Sequence, residues 1–175
     1  MAAGNTKAAF FNKINRLGPG PRALLSRCAG MSITHAPTTA LCVFYECLPE
    51  GVSKKDEEFY FAAACFRCMW NTGREGTAPL ESIFKKLYQD KSITKSMNKR
   101  VADLLDERWA DDGYVLVRLA NLIRMVRQKL PGVRPDFGAL IDDLRWWNSD
   151  DQRVQRKWAR SVFVKVELEP DTANA

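Results

Sequence analysis

Cys65-Phe66-Arg67-Cys68 is the one arrangement in this chain with the spacing of a metal or redox site. A structural zinc ion takes four ligands, ordinarily from a second pair at similar spacing. The candidates to supply one are Cys42, Cys47 and the single His35, with no second CxxC and no HxxxH. The pair also lies in an apolar run, Phe59 to Trp70, where cysteine acts as a small buried hydrophobe. Five cysteines leave one over, and they fall on helix-like segments. They read as reduced thiols of a cytoplasmic protein.

Nucleophilic and phosphate-cradling sets are missing too. His35, beside Ala36-Pro37, has no Ser or Cys signature around it, and neither GxxxxGK(S/T) nor GxGxxG occurs. Asp142-Asp143 and Asp150-Asp151 invite a divalent ion, but adjacent acids diverge by about 100° on a helix. They fit better as partners of nearby arginines and as helix N-terminal charge, respectively. No cofactor, no metal and no enzyme are expected.

The more informative chemistry is cationic. In the stretch Asp136 to Phe163, Val154, Trp158 and Val162 recur every four residues. Arg153, Arg156, Lys157 and Arg160 fall in an arc of about 100° on the opposite face. No Asp or Glu interrupts Gln152 to Lys165, whereas a solvated face ordinarily mixes both signs. Net charge is +6, and no acid precedes Glu46 although Lys7, Lys13, Arg16, Arg22 and Arg27 do. That balance favours a polyanionic partner.

Arg108 falls, on a helix set from Met97, beside Val101 and Leu104 in the apolar stripe. A buried guanidinium requires a carboxylate, with Asp142 or Asp143 available, or an anion held in a groove between helices. Trp147 belongs to the apolar stripe, whereas Trp146 lies off it and is expected to face a partner.

The elements that must position these residues are nearly all helical. Helices are expected over Lys7 to Leu17, from Pro21 to Gly30 and from about Thr38 to Leu48. One opens at Ser53 and is apolar all round, which places it mid-bundle. Others start at Thr77-Pro79, run from about Thr94 to Trp109 and over Tyr114 to Leu130, and begin at Pro135-Asp136. Phe137, Leu140, Ile141, Leu144 and Trp147 stripe this last one, and Ser149 and Asp150 are natural caps for the next start. The fold is an all-α helical bundle with short connections. It divides into an N-terminal lobe, 1–70, a loop, 71–78, a C-terminal lobe, 79–165, and a polar tail, 166–175. No run is long or apolar enough to cross a bilayer.

The C-terminal half resembles the CasB family, the small subunit of the type I-E CRISPR Cascade complex. The motif is Leu140-x-x-Asp143-Leu144-x-x-Trp147 followed by Arg153-Val154-Gln155-x-x-Trp158-Ala159-Arg160-x-x-Phe163. Asn98-Lys99-Arg100 before Leu104-Leu105, and Arg118-Leu119-x-x-Leu122-Ile123, add to it. The likeness runs from about Lys7 to Phe163; the Phe10-Phe11 start, the cysteines and the tail do not match. It implies a non-enzymatic subunit, two copies stacked head to tail, that lines a basic path within an RNA-guided complex. There it would touch other Cascade subunits and hold the crRNA–target DNA heteroduplex and the displaced strand by their backbones, base pairing reading the sequence. The residues expected to do so are Arg22, Arg27, Lys99, Arg100, Arg108, Arg124, Arg127, Arg153, Arg156, Lys157 and Arg160. Reversing charge at Arg156 and Lys157 is expected to weaken binding without unfolding the bundle. The alternative is a helical scaffold whose basic faces meet only protein.

Overall fold

The computed structural model describes residues 3–70, 76–90, 94–110 and 112–164; loop residues 71–75 and the tail at 166–175 lie outside these. Among the described residues there are nine α-helices, one 3-10 turn and no strand. The first half holds α1 (Ala3–Asn15), α2 (Pro19–Arg27), α3 (Thr38–Cys47) and α4 (Glu57–Trp70). Gly18-Pro19-Gly20 separates α1 from α2, and a proline at the start of α2 suits a turn whose amides have no helical partner. Every residue of α4 from Tyr60 to Trp70 is buried. This central rod is contacted by α1, α2, α7 and α8.

The second half is built from α5 (Leu80–Tyr88), α6 (Thr94–Asp106), α7 (Tyr114–Lys129), α8 (Phe137–Arg145) and α9 (Arg153–Phe163). Helix α9 lies on α5 and α6. Its Trp158 ring meets Trp147 edge-on at 5.5 Å and Phe84 at 5.7 Å. One apolar cluster runs from Phe10 and Phe44 through α4 to Trp158 and Val162.

Several expected boundaries move. Helix α6 ends at Asp106 rather than Trp109, and α2 at Arg27 rather than Gly30. Helix α9 starts at Arg153 with Gln152 as its N-cap, not at Ser149-Asp150. The Ser149 hydroxyl and the Asp151 carboxylate both accept from the Arg153 amide, so the acid and hydroxyl work one turn further on. Ser53 Oγ accepts from the Asp56 amide as expected. The Asp56 carboxylate takes the Arg145 guanidinium of α8.

Between α4 and α5 the chain lies against the segment before α8. Ala78 forms an isolated parallel bridge with Pro135, the Asp136 amide donating to the Ala78 carbonyl at 2.8 Å. The approach leaves no room at Gly76, where a Cβ would lie 1.7 Å from the Arg134 carbonyl oxygen. Gly132, in the turn after α7, has open space around it. Gly76→Ala is therefore expected to force the two segments apart and cost about 2 kcal/mol through lost backbone hydrogen bonds and crowding. Gly132→Ala is expected to stay within about 0.5 kcal/mol of the parent. Denaturant midpoints of the two variants, measured side by side, check this.

Candidate nucleic-acid interface

The basic face of α9 is held by acids from outside that helix. The Asp143 carboxylate of α8 is buried and accepts the Trp158 indole N–H at 2.9 Å and the Lys157 ammonium. Glu81 of α5, also buried, lies 3.4 Å from the same ammonium. Burial disfavours the Lys157 charge, but the Asp143 hydrogen bond and the two carboxylates outweigh it, and its pKa is raised above 10.5. A raised lysine contributes stability that is complete at neutral pH and is lost only as pH climbs through the raised value. Lys157, expected among the nucleic-acid contacts, is thus an internal tie between α9, α8 and α5.

Three of the expected arginines are also engaged, each with a carbonyl at or just beyond a helix C-terminus. Arg22 donates to the carbonyls of Ile14 and Asn15 at the end of α1, at 3.3 and 3.0 Å. Arg127 donates to Met69 in the last turn of α4 at 2.7 Å, and Arg124 to Ala29, just beyond α2, at 3.3 Å. Such placements satisfy orphan carbonyls and face the negative end of the macrodipole, worth about 0.3–1 kcal/mol each. Arg153 lies over the Trp146 ring, 4.5 Å from its centroid, and pairs with Asp151. Trp146 is half exposed, as expected, and Trp147 is core.

Apart from Arg27, the rest of the set lies on α6, just beyond its end or on α9. Lys95, Lys99, Ala102 and Asp106 follow one another down its outer ridge at helical spacing. On one side, a groove of about 480 Å³ between α6 and α7 is lined by Lys95, Lys99, Arg100 and Arg118. On the other, a cleft of about 390 Å³ runs between the end of α6 and α9, with Arg108 and Arg156 in its lining. Arg160 follows Arg156 by one turn of α9. Arg27, on α2, lines neither. Among the described residues, Arg27, Lys95, Lys99, Arg108, Arg156 and Arg160 are exposed and their side chains have no ion pair or hydrogen bond.

Arg108 corrects the sequence reading. It is exposed, not buried, because α6 stops two residues earlier and the 100° advance no longer applies. Asp142 pairs with Lys7 and Arg145, and Asp143 with Lys157, so neither is its partner. Lys95 and Arg118 were missed as groove residues. Lys95 stands one turn before Lys99, a spacing that could have found it. Arg118 needs the tertiary structure, since it is turned across to Glu107 and Asp103 of the α6 side.

The cysteines offer no rival site. All five are free thiols, and Cys65 and Cys68 are buried in α4. A hydrogen bond with Cys65 holds Cys28 at about 7 against the opposing effect of burial, while burial pushes Cys68 up to about 12. Cys65 and Cys68 therefore remain protonated at neutral pH, which makes a thiol a poor metal ligand and nucleophile, and Cys28, although lowered, is buried. Among the described residues no three His, Cys, Asp or Glu side chains gather to hold an ion, and no helix is long and apolar enough to cross a membrane.

A family model described as CRISPR-associated protein Cse2 matches residues 21–163. A curated relative, the CRISPR-associated protein Cse2 of Thermus thermophilus, is 29% identical over 82 residues. That alignment covers 47% of this chain and 44% of the relative, so the chain matches less than half of that protein's length. Among solved structures, a Cse2-family CRISPR-associated protein, also from Thermus thermophilus, superposes over 90% of this chain and 97% of its own. The TM-score is 0.71 at 22% identity. A chain of a CRISPR RNA-guided surveillance complex covers 91% of this chain and 92% of its own, with TM-score 0.70 and 20% identity. At these identities the likeness is one of fold.

The acids around Lys157 set apart two residues that look equivalent on a helical wheel. Lys157→Glu leaves the buried Asp143 and Glu81 without their cation and adds a third carboxylate, and since position 157 is itself half exposed it is expected to cost about 1–3 kcal/mol. Arg156→Glu, on the exposed side, is expected to change stability by less than about 0.5 kcal/mol. Thermal and urea unfolding of the two single variants check the difference. The pairing predicts, against the expectation above, that reversing both together destabilises the bundle as well.

Proposed function

The chain belongs to the CRISPR-associated Cse2 family, and on that premise we propose that it is a non-catalytic subunit of an RNA-guided surveillance complex. In that setting it holds crRNA-paired target DNA and the displaced strand by their phosphates. Its protein partners are a second copy of itself and the other subunits of the complex.

What supports this reading is the set of cations without intramolecular partners on and beside α6. Lys95 and Lys99 on the ridge, Arg108 and Arg156 in the cleft and Arg160 beyond it spend none of their charge inside the fold. Each phosphate such a group neutralises releases condensed counterions, which makes binding steeply dependent on salt and indifferent to sequence. No base-reading motif is present, which suits a partner whose sequence is read by base pairing. Arg22, Arg124, Arg127 and Lys157 are ranked behind this set, since moving them uncaps a helix or opens the Lys157 tie. The likeness to a chain of a surveillance complex supplies the setting.

Titration of labelled single-stranded DNA with the purified chain across a salt series tests the reading. Unrelated sequences are expected to bind alike and to weaken together as salt rises. Lys99→Glu with Arg100→Glu is expected to reduce the slope of log K against log salt by about 1.4, two contacts at about 0.7 each for a single strand. Its melting temperature is expected to match the parent's. A variant that binds with the parent's slope would show that these cations face something other than nucleic acid. Absence of any binding at low salt would favour a scaffold that contacts only protein.

A further inference from the structure

The cleft between the end of α6 and α9 differs from the neighbouring groove in what lines it. Leu105, Ala159 and Phe163 give it an apolar side, Gln152 and Gln155 give it amides, and Arg108 and Arg156 give it charge. A surface that only tracks phosphates needs neither the apolar side nor the amides. Its volume, about 390 Å³, lies at the small end of the range for small-ligand sites, about 300–1,000 Å³. That is too little for a duplex and enough for one unstacked nucleotide.

Two further features agree. Gln155 donates from Nε2 to the Trp147 carbonyl at 2.6 Å, yet its Oε1 is buried and has no hydrogen-bond partner. A buried acceptor without a donor is costly, and every nucleobase carries an N–H on its pairing edge. Gln152, the N-cap of α9, holds φ at 49°, the one non-glycine with positive φ among the described residues, and it also lines the cleft. The first turn of α9 therefore borders the cleft, where its dipole adds positive potential. Of the two acids in the lining, Glu107 is neutralised by Arg118. Asp106 remains, an acceptor that suits the amino group of a base and disfavours a free inorganic phosphate.

We propose that this cleft takes a single unstacked nucleotide of a bound strand, its base against Leu105, Ala159 and Phe163 and its phosphate between Arg108 and Arg156. This rests on the phosphate-binding reading above and deepens it, since the base itself, not only the backbone, is then held. Contact is by stacking and by groups that any base can satisfy, so it adds affinity without selecting sequence.

The test compares two labelled strands of equal length and charge, one of mixed bases and one made wholly of abasic sites. The parent chain is expected to bind the base-bearing strand about tenfold more tightly, the order set by stacking of one base. Ala102→Leu, exposed on α6, and Ala159→Leu on α9 both narrow the cleft without touching its charge. Each is expected to abolish that preference while leaving binding of the abasic strand unchanged. Equal binding of both strands by the parent overturns the cleft proposal and leaves phosphate binding standing. A preference that survives both variants also overturns it and places the stacking elsewhere, with Trp146→Ala as the comparison. Binding of neither strand at low salt overturns the phosphate reading, and the cleft proposal with it.

Discussion

The carboxylate of Asp143 meets two donors from α9, the indole of Trp158 and the ammonium of Lys157, at a joint where Glu81 of α5 also arrives. The two carboxylates are buried while the ammonium stays half exposed, and a buried carboxylate is stable only while its partners stay in place. The apolar contacts of Trp158 with Trp147 and Phe84 fix the indole, and the indole fixes the carboxylate. Helix α9 is thereby set in both rotation and position on α8 and α5. Lys157 stays half exposed but is drawn to Asp143 and Glu81, whereas Arg156 and Arg160 beside it point to no acid. The cleft beside α6 has its shape for the same reason.

A strongly basic chain has to decide which of its cations are available. Here the division is by geometry. Arginines that reach a helix C-terminus, or a carbonyl just past one, spend their donors there, as Arg22, Arg127 and Arg124 do on Asn15, Met69 and Ala29. Lys95 and Lys99 on the ridge of α6, Arg108 at its end and Arg156 and Arg160 on α9 reach no such carbonyl and no carboxylate. Net charge alone cannot separate the two populations, although only the second keeps its donors unspent within the fold. The same principle accounts for Arg145, whose donors go to Asp56 and join α8 to the start of α4.

Much of the fold was legible in the sequence because burial on a helix follows a period that residues display directly. The stripe Phe137, Leu140, Ile141, Leu144 and Trp147 is buried throughout, as are Val154, Trp158 and Val162. The all-apolar run from Phe59 announced the central rod. Helix ends were less legible. Asp106 and Arg108 carry no stop signal between them, so a wheel drawn through Trp109 turned an exposed arginine into a buried one.

What the sequence determined by itself is the class of the protein: an all-α bundle, a basic balance, and the motif by which it resembles its family. Those properties depend on residue types and on spacings of three or four, which local chain geometry converts into faces. What only the tertiary structure decided is which cations remain free. Lys157 and Arg156 are adjacent, equally charged and on the same arc of α9, and no pattern within that helix distinguishes them. The acids that do so, Asp143 and Glu81, stand 14 and 76 positions away and arrive only when three helices meet. Availability of a charge is a property of its partners in space, and those are fixed by packing.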